Sequence, residues 1–158
     1  MRRLLLALIA LCLLLPSTAP AQSYSAEEQE IIDFTVACWE VWADKQVEGY
    51  LSDCWHEDIS FWSPGLVLPF GARWVGHVAP FWFAHNDWGA WDIMPFMVKV
   101  YGDAAVIQYQ LVVASKPSEG ESQIAFWGEA RSDFLVRLDD GWRVVAVHTH
   151  EAEQNSEN

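Results

Sequence analysis

The stretch from Phe126 to His150 constrains this chain most, because it lays out a long β-hairpin closing on two histidines. Phe134, Val136 and Leu138 alternate with Asp133, Leu135 and Arg137. After Asp139-Asp140-Gly141 the alternation resumes through Trp142, Val144, Ala146, His148 and His150. A period of two reads as a strand with one buried face. A three-residue loop ending in Gly predicts a type I turn closed by a left-handed bulge, since Gly takes φ > 0 without strain. That register pairs Leu138 with Trp142, Val136 with Val144, Phe134 with Ala146 and Ser132 with His148. One face is then apolar until it ends in Ser132, His148 and His150. The other carries Glu129, Arg131, Asp133, Arg137 and Arg143, expected as a solvated or inter-subunit ion-pair row.

The first 21 residues read as a leader and not as fold. Arg2 and Arg3 precede an apolar run, Leu4 to Leu15, and Ala19-Pro20-Ala21 offers a cleavage site before Gln22. The run is shorter than the ~20 apolar residues of a spanning helix. An exported protein, periplasmic or secreted, is the expectation. Without the two leader arginines the formal charge moves from −13 to −15. Such a surface repels phosphate backbones, which argues against nucleic acid and against anionic membranes. What remains, residues 22–150, is enough for one domain, followed by a polar tail, residues 151–158, expected to be disordered. Cys38 and Cys54 would either form a disulfide worth ~3 kcal/mol or serve as two small buried apolar side chains.

Ser25-Ala26-Glu27-Glu28 is a capping box opening a helix to about Asp44. A short second helix carries Tyr50, Leu51, Cys54 and Trp55, and a strand follows over Ile59 to Trp62. Val78 to His85 predicts a third helix with Pro80 in its first turn. Trp91 to Tyr101, Ala104 to Ala114 and the closing hairpin complete the order α-α-β-α-β-β-β-β, an α+β class.

That order, with these residues, resembles the nuclear transport factor 2-like superfamily, including its SnoaL-like and ketosteroid-isomerase-like members. The matching pieces are Asp44-Lys45-Gln46-Val47-Glu48-Gly49-Tyr50-Leu51, Trp55-His56-Glu57-Asp58, Gly102-Asp103-Ala104-Ala105-Val106, and Asp140-Gly141-Trp142-Arg143-Val144-Val145 with His148. The resemblance covers Ser25 to His150. It implies a cone, with N-terminal helices packed in the concave face of a curved antiparallel sheet and an apolar pocket at the mouth. It also implies pairing of two copies through the outer sheet face, here around Trp127, Arg131, Val145 and Val147. The isomerase pattern places Trp39 where a catalytic tyrosine would stand and Ser63 where the general base would be. Its second aspartate falls near Ser132. All three departures remove steroid isomerisation; of the SnoaL-type acid and histidine only His148 has a match.

Fold does not supply function, so the residues carry the argument. His148 is the candidate catalytic acid–base, an imidazole being the side chain that titrates near neutrality. His150 shares its face, but zinc needs a third protein ligand. His56, His77 and His85 lack ligand spacing, so neither metal nor cofactor is expected. Ten tryptophans supply core and pocket wall alike. The expected pocket holds Trp39, Trp62, Ser63, Tyr109, Ser132 and His150, with Trp39 crossing Ser132 and His148. Tyr109 and Asp58 are the nearest groups that could share it with His148. Two functions follow: binding an apolar or aromatic small molecule, with or without His148 chemistry, or a non-catalytic binding or assembly module with a vestigial pocket.

Overall fold

A computed structural model describes residues 23–65, 67–117 and 125–151. The leader, residues 1–21, and all but the first residue of the tail lie outside the described residues. Ser25 caps α1 (Ala26–Ala43) as expected: its hydroxyl accepts from the Glu28 N–H while the Glu28 carboxylate accepts from the Ser25 N–H. The Glu28 carboxylate also meets Lys99 at 2.6 Å, which ties the start of the helix to the sheet edge. α2 (Val47–Gly49) runs directly into a π-helical turn, Tyr50–Cys54. The Cys38–Cys54 disulfide forms across a Cα separation of 5.7 Å and clamps that turn to α1. A closed loop of this size contributes ~3 kcal/mol in the chain-entropy picture.

β1 (Trp55–Trp62) follows, then α3 (Ala72–His85). α3 begins at Ala72, not Val78, so Pro80 sits inside the helix and not in its first turn. Burial of Val75, Ala79 and Phe83 on one face sustains the helix through the turns before Val78. β2 (Asn86–Tyr101), β3 (Ala104–Pro117), β4 (Ala125–Leu138) and β5 (Gly141–Glu151) complete the chain. Gly102 (φ 62°) makes the tight β2–β3 turn that a side chain would strain.

The five strands form one curved sheet in the order β1-β5-β4-β3-β2. β1 pairs β5 in parallel and the other three ladders are antiparallel. The sheet is therefore mixed and not wholly antiparallel as expected. The helices cover its concave face, where Ile107, Tyr109, Leu111 and Val113 of β3 are fully buried.

The closing hairpin departs from its expected register near the turn. Leu138 pairs with Gly141 and Arg137 with Trp142, leaving Asp139-Asp140 as the loop. A bulge at Val145 then restores the expected pairs Phe134–Ala146 and Ser132–His148. The consequence is an exchange of faces. Arg131, Asp133 and Leu135 point inward with Tyr109 and Ile107, while Phe134 and Leu138 are 46% and 42% exposed on the outer face. Both faces of β4 carry apolar residues, so alternation alone does not identify the inner one. The faces are fixed by the β3 ladder, in which Tyr109 stands opposite Arg131 and Ile107 opposite Asp133.

Candidate functional site

The inward row of β4 sets the floor of the site. Arg131 is buried beside Asp133, and its Nε donates to Asp133 Oδ1 at 2.7 Å. The other Asp133 oxygen accepts from the Tyr109 hydroxyl at 2.9 Å, and that hydroxyl accepts from the Trp39 indole N–H at 2.9 Å. Helix α1 is thereby bonded to β3 and β3 to β4 through one buried chain. The guanidinium lies 4.9 Å from the Trp39 ring centre and 5.2 Å from that of Phe61, a cation–π arrangement on both. Its Nη1 reaches Glu129 at 3.4 Å. Arg131 and Asp133, expected in a solvated or inter-subunit row, are therefore buried, at 4% and 3% exposure.

Burial works against the Arg131 charge, but Asp133 together with Tyr109, Tyr50 and Glu129 more than offsets it, and the guanidinium is held more firmly protonated than in water. Burial pushes the Tyr109 hydroxyl well above its ordinary pKa, so it remains a donor. Burial also raises the Glu129 carboxyl, with Arg131 only partly opposing. A carboxyl with a raised folded-state pKa favours folding while protonated, and that contribution is lost as pH rises through the folded value. Glu129→Gln should therefore gain stability relative to the parent between about pH 4 and pH 7. Paired melting curves measure this; a Tm difference that shrinks with rising pH would contradict it.

Over this floor stands a cavity of about 360 Å³, within the usual range for small-molecule sites. α1 supplies Trp39 and Trp42, the π-helical turn Tyr50, and β1 Trp55 and Phe61. α3 closes the other side with Trp74, Val78, Phe81 and Trp82. The rings form a continuous wall: Trp42 to Tyr50 at 4.9 Å, Tyr50 to Trp55 at 5.3 Å, Phe61 stacked on Phe70 at 4.5 Å, and Phe70 to Trp74 at 4.3 Å. Arg131 is the one charged residue among the described lining residues. Its flat faces are already occupied by rings and its Nε by Asp133, so the cavity offers an apolar slot and no unmet charge. A guanidinium held this firmly charged donates hydrogen bonds and takes no proton from a substrate.

Of the residues expected here, the structure brings Trp39 and Tyr109 to the site, the first as wall and the second behind it. His148, Ser132 and Trp62 do not reach it. They stand in one cross-strand row with Gln108, one position from the row of Tyr109 and Arg131, and so on the opposite face of the sheet. His150 lies on that outer face too, its ring 4.4 Å from that of His148. Ser63 follows β1 and is not among the lining residues, and Asp58 is exposed, its N–H bonded to His56. Trp39 crosses Tyr109 and Arg131, not Ser132 and His148. Among the described residues no three His, Cys, Asp or Glu side chains are placed to hold a metal ion. The buried Arg131–Asp133 pair went unread in sequence, although Leu135 continues the Glu129, Arg131, Asp133 row and gives it an apolar inner member.

No family model and no curated protein matches the chain. Solved structures do match, at low identity. A ketosteroid isomerase-like protein from Erwinia carotovora atroseptica is 12% identical, with 81% of this chain and 98% of that one covered and a TM-score of 0.66. A nuclear transport factor 2-like protein with a cystatin-like fold from Novosphingobium aromaticivorans is 18% identical, with 96% and 90% covered and a TM-score of 0.64. A CaMKII hub from S. rosetta is 13% identical, with 82% and 100% covered and a TM-score of 0.65. The chain has the nuclear transport factor 2-like fold.

Proposed function

We propose that this protein is an exported binder of a flat, apolar or aromatic small molecule, held in the cavity between α1, α3 and the inner sheet face. The carrying observation is the 360 Å³ slot walled by indole and phenyl rings with the Arg131 guanidinium at its floor. A flat ligand stacks on the walls, and its single acceptor group meets the guanidinium edge. The leader-like N-terminus and the Cys38–Cys54 disulfide both support export, because disulfides persist in oxidising compartments. His148 stands across the sheet from the cavity, so acid–base chemistry there would not run through it. Binding without turnover is the reading this geometry favours.

Titration of indole fluorescence with a panel of neutral aromatic and terpenoid compounds tests it. At least one compound should perturb the emission saturably, and His148→Ala should leave its affinity unchanged. Emission indifferent to the whole panel would remove the reading.

A second reading, an assembly module, is favoured by the outer face of the sheet. Tyr101, Phe134 and Leu138 are 70%, 46% and 42% exposed there, an apolar patch of the kind that marks an interaction surface. The patch first expected to pair two copies does not hold: Arg131 and Val147 face inward, and the Trp127 side chain lies outside the described residues. We place the homodimer contact on Phe134, Val136 and their cross-strand neighbours instead. Sedimentation at micromolar concentration should give a dimer that Phe134→Glu converts to monomer; a monomeric parent protein would contradict it. The two readings are compatible, since they use opposite faces.

A further inference from the structure

Between Asp58 and Asp87 the chain bears no acidic residue, although acids outnumber Lys and Arg by 22 to 9 overall. α3 lies wholly within that run. Its helical period gathers Arg73, Trp74, His77 and Phe81 on one stripe, and all four are exposed. Phe81 is 72% exposed and Trp74 48%, and both also form the rim of the aromatic cavity. Val67 and Leu68, just before the cavity residue Phe70, are 89% and 74% exposed. The mouth of the cavity is therefore bordered by large apolar side chains turned outward.

An exposed patch of this kind marks an interaction surface, and its charge identifies the partner. Arg73 makes no ion pair among the described residues, whereas Lys99, Arg131, Arg137 and Arg143 each meet a carboxylate. An outward arginine beside Trp74 and Phe81 on the helix, with Val67 and Leu68 just before it and no acid in the run, is the mix of basic and large apolar side chains that a segment lying in a lipid interface presents. The protein's overall negative charge does not forbid this. Screening acts over about 8 Å at physiological salt, so acids farther than that from the docked face scarcely feel the headgroups. Glu48, which lines a groove with Arg73 and His77, is an acid on this side of the protein and is faced there by Lys45 as well. Among the described residues no helix is long and apolar enough to cross a membrane, so attachment here is by side-chain insertion.

We propose that the exposed face of α3, with Val67 and Leu68, docks the protein on a bilayer containing anionic lipid, with the aromatic cavity opening at the interface. A ligand dissolved in the bilayer would then enter without crossing water. This goes beyond the ligand reading and is tested with no ligand present.

The test is cosedimentation of the purified protein with phosphatidylcholine vesicles, with and without phosphatidylglycerol, at physiological salt. The parent protein should bind the phosphatidylglycerol vesicles. The double variant Val67→Asp/Leu68→Asp, at two exposed positions outside the cavity, should bind about tenfold more weakly or worse, with its Tm unchanged. Arg73→Glu should weaken binding to the anionic vesicles and not to phosphatidylcholine alone. Absence of vesicle binding by the parent, or undiminished binding by the double variant, would overturn the proposal. So would a double variant that dissociates an oligomer of the vesicle-free parent, because a second copy would then cover the face.

Discussion

Asp133→Ala should destabilise the protein by about 3–5 kcal/mol, the usual cost of removing one partner from a buried ion pair. The substitution strands the Arg131 guanidinium on the inner face and takes from Tyr109 the acceptor of its hydroxyl. Glu129, at 3.4 Å from Nη1, is the nearest remaining carboxyl, and burial already disfavours its charged form. Urea denaturation measures the loss. A loss under about 1 kcal/mol would mean that the pair is solvated like a surface bridge. Replacing both partners together, Arg131→Met with Asp133→Leu, should restore most of the stability, because no charge is then left buried. The pair is on this view not the main source of stability. It fixes the floor of the cavity and the tilt of Tyr109, and the paired variant should fold yet lose ligand orientation.

Trp39→Ala should cost a similar ~3–5 kcal/mol, as emptying a large buried aromatic usually does. Trp39 is 5% exposed and joins three parts of the site: it walls the cavity, covers the guanidinium and donates to Tyr109. Trp39→Phe separates these roles, keeping most of the packing while removing the N–H donor. It should cost about 1–2 kcal/mol, the value of a buried hydrogen bond with some lost area. Ligand affinity should fall strongly in the alanine variant and modestly in the phenylalanine one. Equal stability losses in the two would show that the indole N–H, and not the ring, carries the effect.

The fold was legible in sequence where local chemistry is decisive. The capping box at Ser25 and the pair of strands meeting between Tyr101 and Ala104 each allow one reading, and the structure agrees with both. Sequence leaves the disulfide open because spacing alone does not set Cα distance; packing of the π-helical turn on α1 does. The site was legible in its tryptophans and misread in its charges. β4 reads as apolar on Phe134, Val136 and Leu138, and a charged row opposite normally faces water. Arg131 and Asp133 go inward because each satisfies the other and because α1 lays Trp39 over them, a tertiary fact with no local signature. The Val145 bulge completes the error. One extra residue reverses the facing of everything beyond it, and His148 moves from the expected pocket floor to the opposite face.

The central claim is that the aromatic cavity, and not the histidine face, is where a small molecule binds. A crystal structure of the protein with the neutral aromatic compound that perturbs its fluorescence most tests this directly. The account predicts the compound stacked between Trp39 and Trp82, with its acceptor atom within hydrogen-bond reach of the Arg131 guanidinium. Density for it on the outer face beside His148 and Trp62, with the cavity empty, would contradict the claim.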